Sequence, residues 1–331
     1  MMRRLDIDRA KGLAITLVVF GHIVARQDPA HVHWYQPLRR AVYAFHMPFF
    51  FYLSGMVSFL AGHVRVLPAG WARLAASRVR RLLVPFVLMG ALIIAGKMLA
   101  ARFMFVDNAP RSLLAGLIDL VWNPARSPAY SLWYLAVLCA LSLMTPMLAW
   151  VLRGRLVLVI VVFAALELAN PPWHLYLADL CRYGLFYALG VGAGALGTRW
   201  TGWIDRWRWP LLALFATGFA AIALAGHRWP FDARLLVFGV LAMPALHSLV
   251  RISWLSSDRT LVTIGRYSLM IYLFNTIFIG LTKGLLLHVT SWNGDHFPAF
   301  FAALMLAGML GPIMLKRTVL RAFPPLDRMT E

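Results

Sequence analysis

Acidic residues are scarce in this chain. Only 13 of its 331 residues are Asp or Glu, against 32 Lys or Arg, which leaves a formal charge of +19. Cysteine is scarcer still. Cys139 and Cys181 are too few and too far apart for a disulfide framework or a thiolate metal cluster. Both fall in apolar runs, where a free thiol acts as a small packing group. Long polar stretches are missing too, since the longest gap between apolar runs is under about thirty residues. That leaves no room for a sizeable soluble domain. Internal repeats, inverted duplications and low-complexity tracts are also absent, which excludes a solenoid and weighs against a transporter built from repeats.

Apolar residues are abundant. They make up 61% of the chain, and the mean hydropathy is +0.72. Soluble domains average about 45–50% apolar, so a polytopic membrane protein is expected. A charge of +19 could suggest nucleic acid. The basic residues instead cluster in alternate short loops, as the positive-inside rule requires, and no nucleic-acid partner is expected.

Ten apolar segments can be drawn, near residues 9–26, 44–62, 82–101, 130–151, 155–170, 181–198, 210–226, 233–250, 264–287 and 298–315. With the N-terminus in the cytoplasm, 21 of the 32 Lys and Arg residues fall on the cytoplasmic side. An even number of spans returns the C-terminus to that side. Backbone groups in lipid must bond within their own segment, so these runs are helices, and their lack of alternation excludes a β-barrel. The start, Met1-Met-Arg-Arg4, resembles a signal peptide, but Asp6 and Asp8 interrupt it and no small-x-small cleavage site follows. An uncleaved first span is expected. The expected fold is therefore all-α: a polytopic membrane bundle of about ten transmembrane helices with both termini cytoplasmic, forming a single integral-membrane domain over residues 1–331.

Several polar residues lie inside these apolar runs. His22 is in the first, eleven residues after Lys11. Eleven residues are about three helical turns, which puts the two on nearly one face, roughly 16 Å apart along the axis. Ionisable groups at membrane depth are expensive and usually functional. His22 is either satisfied by a backbone carbonyl between packed helices or acts as a general base, which an imidazole with an ordinary pKa of ~6.5 suits. His46 lies in Phe45-His46-Met-Pro48 at the start of the second span, where it is either an interfacial residue or a neighbour of His22. Ser54 and Gly55 further on would let another helix come close. Arg78 and Arg81 are spaced i, i+3 in a basic loop. They either mark topology or form a phosphate cradle. Asn275 is a polar residue within the ninth span, and Glu167 is a weaker acid–base candidate near the end of the fifth. His31-x-His33 has no third ligand nearby, so no metal site is expected.

Taken in order, these blocks resemble a known family. Asp8-x-x-Lys11-Gly-x-x-Ile15 through Gly21-His22, then Phe45-His46-Met-Pro48 and Phe51-x-x-Ser54-Gly55, are similar to membrane-bound acyltransferase family 3, especially its fucose 4-O-acetylase-like members. Arg81-Leu-Leu-Val-Pro85, Leu132-Trp133-Tyr134-Leu135 and Tyr267-Ser268 through Tyr272-Leu273 match later blocks in order and spacing. The resemblance implies an integral-membrane O-acyltransferase that moves an acyl group, acetyl by preference, from cytoplasmic acetyl-CoA or another acyl-CoA to a sugar hydroxyl. The acceptor would be a glycan or lipid-linked saccharide, with polysaccharide-biosynthesis proteins as partners and a bacterial inner membrane as the setting. It implies an essential catalytic role for His22, preceded by the basic Lys11, and contact with the donor by Arg78 and Arg81. On physical grounds, Lys11 would join those arginines at the donor phosphates, and His46 or Asn275 would complete the catalytic group by orienting His22 or stabilising the developing oxyanion. The family often has arginine in place of Lys11 and histidine in place of Asn275. The soluble esterase-like domain of some members has no counterpart here. The competing class is a multi-span transporter or flippase of a glycan or small metabolite.

Overall fold

The computed structural model describes residues 4–24, 28–102, 109–169, 171–225 and 228–322, and every regular element among them is helical. In chain order the first helices are α1 (Leu5–His22), α2 (Tyr35–Tyr43), α3 (His46–Leu60), α4 (Pro68–Arg78), α5 (Val84–Ala100) and α6 (Leu113–Val121). Next come α7 (Trp133–Val151), α8 (Leu156–Glu167), α9 (Leu177–Leu196), α10 (Thr198–Arg206) and α11 (Arg208–Ala225). The last are α12 (Phe231–Leu249), α13 (Ser253–Ser256), α14 (Arg259–Arg266), α15 (Ser268–Leu287) and α16 (Phe297–Thr318).

Among the described residues, seven stretches are long and apolar enough to cross a membrane: Tyr35–Leu60, Pro68–Ala100, Tyr130–Val151, Arg208–Ala225, Phe231–Leu249, Ser268–Leu287 and Phe297–Ala322. They match seven of the ten expected segments. The other three fall short for physical reasons. α1 carries Asp6, Asp8, Arg9 and Lys11 in its first two turns. α8 has only 12 residues, about 18 Å of helix. α9 is rich in glycine and carries Asp179 and Arg182. The exposed surface fits a lipid solvent. α11 is apolar yet buries only Ile222, and such a helix is at home only where its surroundings are apolar too. This is a multi-pass membrane protein.

The chain forms two compact units, one made of the residues up to Leu53 and from Leu196 onward, the other of Ser54–Ala195. In the first unit α1 packs directly on α14. A Cβ on Gly12 would overlap the carbonyl of Leu261, and one on Gly265 would overlap the carbonyl of Asp8, so only glycine lets these backbones meet. The start of α1 is tied down by charge. Asp6 accepts hydrogen bonds from Arg4 (2.5 Å), from Arg251 Nη1 (3.0 Å) and from His247 Nε2 (3.3 Å). Arg251 also grips Asp205 with both Nε and Nη2, and Arg208 donates to the same carboxylate at 2.6 Å. Because Nε2 of His247 donates, its Nδ1 accepts from the Tyr52 hydroxyl at 2.8 Å, and that oxygen accepts from Trp200 Nε1 at 2.7 Å. A directed chain thus runs Trp200, Tyr52, His247, Asp6. His247 is wholly buried, so each of its polar groups needs such a partner.

In the second unit a Cβ on Gly55 would overlap the Tyr187 carbonyl of α9, the close approach that the Ser54-Gly55 pair anticipates. Ser54 bonds the Tyr134 hydroxyl at 2.6 Å. Between α4 and α5 the backbone widens into a π-helical turn over Val79–Leu83. Both cysteines are buried and unbridged.

Candidate active site

The first helix ends sooner than its sequence suggests. The apolar run continues through Ile23 and Val24, but α1 stops at His22. Residues 25–27, on which the expected end of the segment falls, lie outside the described ones. His22 therefore sits at the C-terminal tip of a helix. Helix tips leave carbonyls without intrahelical partners, and buried ones must be satisfied from elsewhere. α2 supplies the donors. The Tyr35 hydroxyl donates to the Phe20 carbonyl, while Arg39 Nε and the Tyr43 hydroxyl both donate to the Gly21 carbonyl at 3.1 Å. Around them Phe20, Tyr35 and Phe297 pack ring against ring, with centroids 5.1 and 5.7 Å apart.

The tip presents an ordered imidazole. His22 Nδ1 lies 2.8 Å from Asn275 Oδ1. The Asn275 amide nitrogen donates to the carbonyls of Ile271 (2.8 Å) and Tyr272 (2.9 Å), one turn back on α15. Those two bonds fix the amide so that its oxygen faces His22. An oxygen there can only accept, so Nδ1 carries the hydrogen and Nε2 keeps the basic lone pair. Asn275 is wholly buried and partnered at both ends of its amide. Two residues 253 positions apart in sequence thus set one tautomer.

His46 is also here. It is 5% exposed, its Nδ1 donates to the Val42 carbonyl at 2.9 Å, and the Tyr43 ring lies 4.8 Å from its own. Its Nε2 is therefore a second unprotonated nitrogen. His22, His46 and Arg39 lie within electrostatic reach of one another. Arg39, which sequence reasoning missed, holds its guanidinium over the Tyr43 ring at 4.9 Å. The available signal was weak: a pair of arginines in a short amphipathic helix, overlooked beside the larger basic loops. Further back on α1, Lys11 precedes His22 by three turns of unbroken helix. The arrangement can take up a proton at a fixed nitrogen and offers a fixed cation beside it.

The second unit holds the remaining candidates. Arg78 ends α4, and Arg81 lies on the π-helical turn that follows. The i, i+3 pairing expected of a regular helix start is altered by that wider turn. Such turns recur at functional sites because they re-aim side chains. Arg81 is exposed, whereas Arg78 is part-buried and donates to His63 Nδ1. Burial, together with the cations of Arg78 and Arg81, pushes His63 down to about 4, so it is neutral near pH 7 and can accept that bond. Among the described residues nothing bonds the buried Arg78 Nε.

Comparison with known proteins places these blocks in context. The family described as an acyltransferase domain matches residues 4–317. A protein named nodulation protein NolL from Sinorhizobium fredii is 32% identical over 198 residues, covering 57% of this chain and 48% of the relative. One of the same name from Mesorhizobium japonicum is 28% identical over 219 residues, covering 65% of this chain and 54% of the relative. The chain spans about half the length of these curated relatives. No solved structure matches.

Proposed function

This chain belongs to acyltransferase family 3, and on that premise we propose that it is an acyl-CoA-dependent O-acyltransferase of the bacterial inner membrane. It moves an acyl group, acetyl by preference, from the cytoplasmic donor to a hydroxyl of a glycan or lipid-linked saccharide. Ten spans with both termini cytoplasmic, as the charge pattern favours, would keep the basic loops on the donor side.

The observation that carries the reading is the His22–Asn275 pair, which leaves a basic nitrogen poised at a helix tip. In the proposed step the acceptor hydroxyl gives its proton to His22 Nε2 as its oxygen attacks the thioester carbonyl. The oxygen–carbon bond forms, the carbon–sulfur bond breaks, and the leaving thiolate takes the proton back from the imidazolium. Asn275 is a positioning residue that keeps Nδ1 protonated and the ring turned. Arg39 stabilises the developing oxyanion by its charge. His46, with its own unprotonated nitrogen, serves as a second polar contact for the acceptor. Arg78 and Arg81 contribute cations for the phosphates of the donor, and the unpartnered Nε of Arg78 supports that role. Lys11, on the first unit, is proposed as a further cation for the donor. Family membership disfavours a transporter, as does the absence of repeats in the sequence.

Deletion and restoration of the gene test the proposal, with NMR of acyl substituents on the cell's glycans as the readout. Acyl signals should vanish on deletion and return with the wild-type chain but not with membrane-inserted His22→Ala. An unchanged acyl pattern after deletion would refute the proposed activity. Full activity of His22→Ala would refute the assigned base.

A further inference from the structure

At the foot of α1 lies a partly open cavity that the proposed chemistry does not use. Its volume is about 460 Å³, and its walls come from α1, α13, α14 and the turn between the last two. Leu5 and Arg9 contribute from α1; Ser256, Asp258, Arg259 and Arg266 contribute from the other side. The Gly12–Gly265 contact fixes how the two walls meet.

Arg9 is the telling residue. It is only 7% exposed, yet it lines the cavity. Its Nη2 donates to the Ser256 carbonyl, which holds the guanidinium in place. Its buried Nε, however, meets no acceptor among the described residues. An unsatisfied buried donor costs about 1–3 kcal/mol, and more on a charged group. Arg259 and Arg266 add two exposed guanidiniums at the rim. Against these three cations stands one carboxylate, and Asp258 directs its Oδ1 to the backbone amides of Thr260 and Leu261 as the cap of α14. The hydroxyls of Ser256, Ser257 and Thr263 donate to the carbonyls of Ser253, Trp254 and Arg259. Recognition therefore falls to the guanidiniums, whose planar forks match the oxygens of a phosphate group.

We infer that this cavity binds a phosphate group, with Arg9 as the fixed anchor and Arg259 and Arg266 as mobile clamps. Three sources carry that chemistry: the nucleotide end of an acyl donor, an anionic lipid headgroup, or free phosphate. The first rests on the function proposed above, while the site itself does not.

The test uses the full chain in neutral phosphatidylcholine nanodiscs at fixed ionic strength. Inorganic phosphate, adenosine 3′,5′-bisphosphate and a short-chain phosphatidic acid are titrated separately, with thermal shift and ³¹P line width as readouts. At least one should bind saturably, and Arg9→Gln should weaken it about tenfold. The Arg259→Ala, Arg266→Ala double variant should weaken it about threefold and flatten its salt dependence. Tightest binding by the bisphosphate identifies the donor, by phosphatidic acid a lipid, and equal binding by all three free phosphate. Failure of all three to bind, or binding to Arg9→Gln as tight as to wild type, overturns the inference. Where Arg9→Gln does not fold, unchanged affinity in the exposed double variant overturns it instead. Acyl transfer persisting without phosphate binding removes this site alone. Phosphate binding with no acyl transfer removes the proposed function alone.

Discussion

The two ends of α1 are built from opposite materials. At its start, Asp6 is held by Arg4, Arg251 and His247, and Arg251 passes the contact on to Asp205. At its end, His22 is held by one neutral amide, and the nearby carbonyls are covered by hydroxyls and a single guanidinium. The charged end is anchored redundantly, so no one bond decides its position. The neutral end depends on a single 2.8 Å contact, and the ring it holds keeps a lone pair available. A helix fixed firmly at one end can present a reactive group at the other with little loss of orientation.

If that division is right, substitutions at the tip change rate and substitutions at the foot change stability. The largest effect is expected from Asn275→Leu, short of removing His22 itself. It should lower kcat by about 10- to 100-fold with little change in KM, because Nδ1 loses the acceptor that fixes its tautomer. Asn275→Asp, which keeps an acceptor oxygen, should recover much of that loss. Equal activity of the Leu and Asp variants would show that Asn275 only packs.

Next in size is Asp6→Ala. Removing one partner from a buried ion cluster should lower stability by about 2–4 kcal/mol, read as a drop in melting temperature. The kcat of the folded fraction should stay close to wild type. A fall in kcat at unchanged melting temperature would mean that the foot also tunes the chemistry, and the division between the ends would fail.

The smallest effect lies outside α1 and serves as a control. His63 titrates near 4 in the folded chain but near 6.5 when unperturbed. Between those values the unfolded chain binds the proton and the folded chain does not, so stability falls as pH drops from about 6.5 towards 4. Part of that slope should disappear in His63→Gln, measured by melting temperature across the same window. An identical slope in the variant would remove His63 as its source.

The spans were legible because uninterrupted apolar runs leave helices as the only way to satisfy the backbone in lipid. His22, His46 and Asn275 could be singled out because polar groups are conspicuous in such runs, and the structure brings all three into one unit. What the sequence hid was of two kinds. The stop at His22 has no glycine or proline directly after it; it depends on Tyr35, Arg39 and Tyr43 arriving from α2 to cover the last carbonyls. The π-helical turn at Val79–Leu83 likewise has no local signature, since an extra residue per turn is set by packing. The pairings of His22 with Asn275 and of Arg9 with Ser256 join distant segments, and no local periodicity reports them.

The meeting of Gly12 and Gly265 has a mechanical consequence. With no side chain between them to slide or repack, α1 and α14 behave as one strut. Whatever breathing accompanies turnover must take place elsewhere. Spin labels attached at Thr16 and Thr260 should therefore report one unvarying separation through every stage of the cycle.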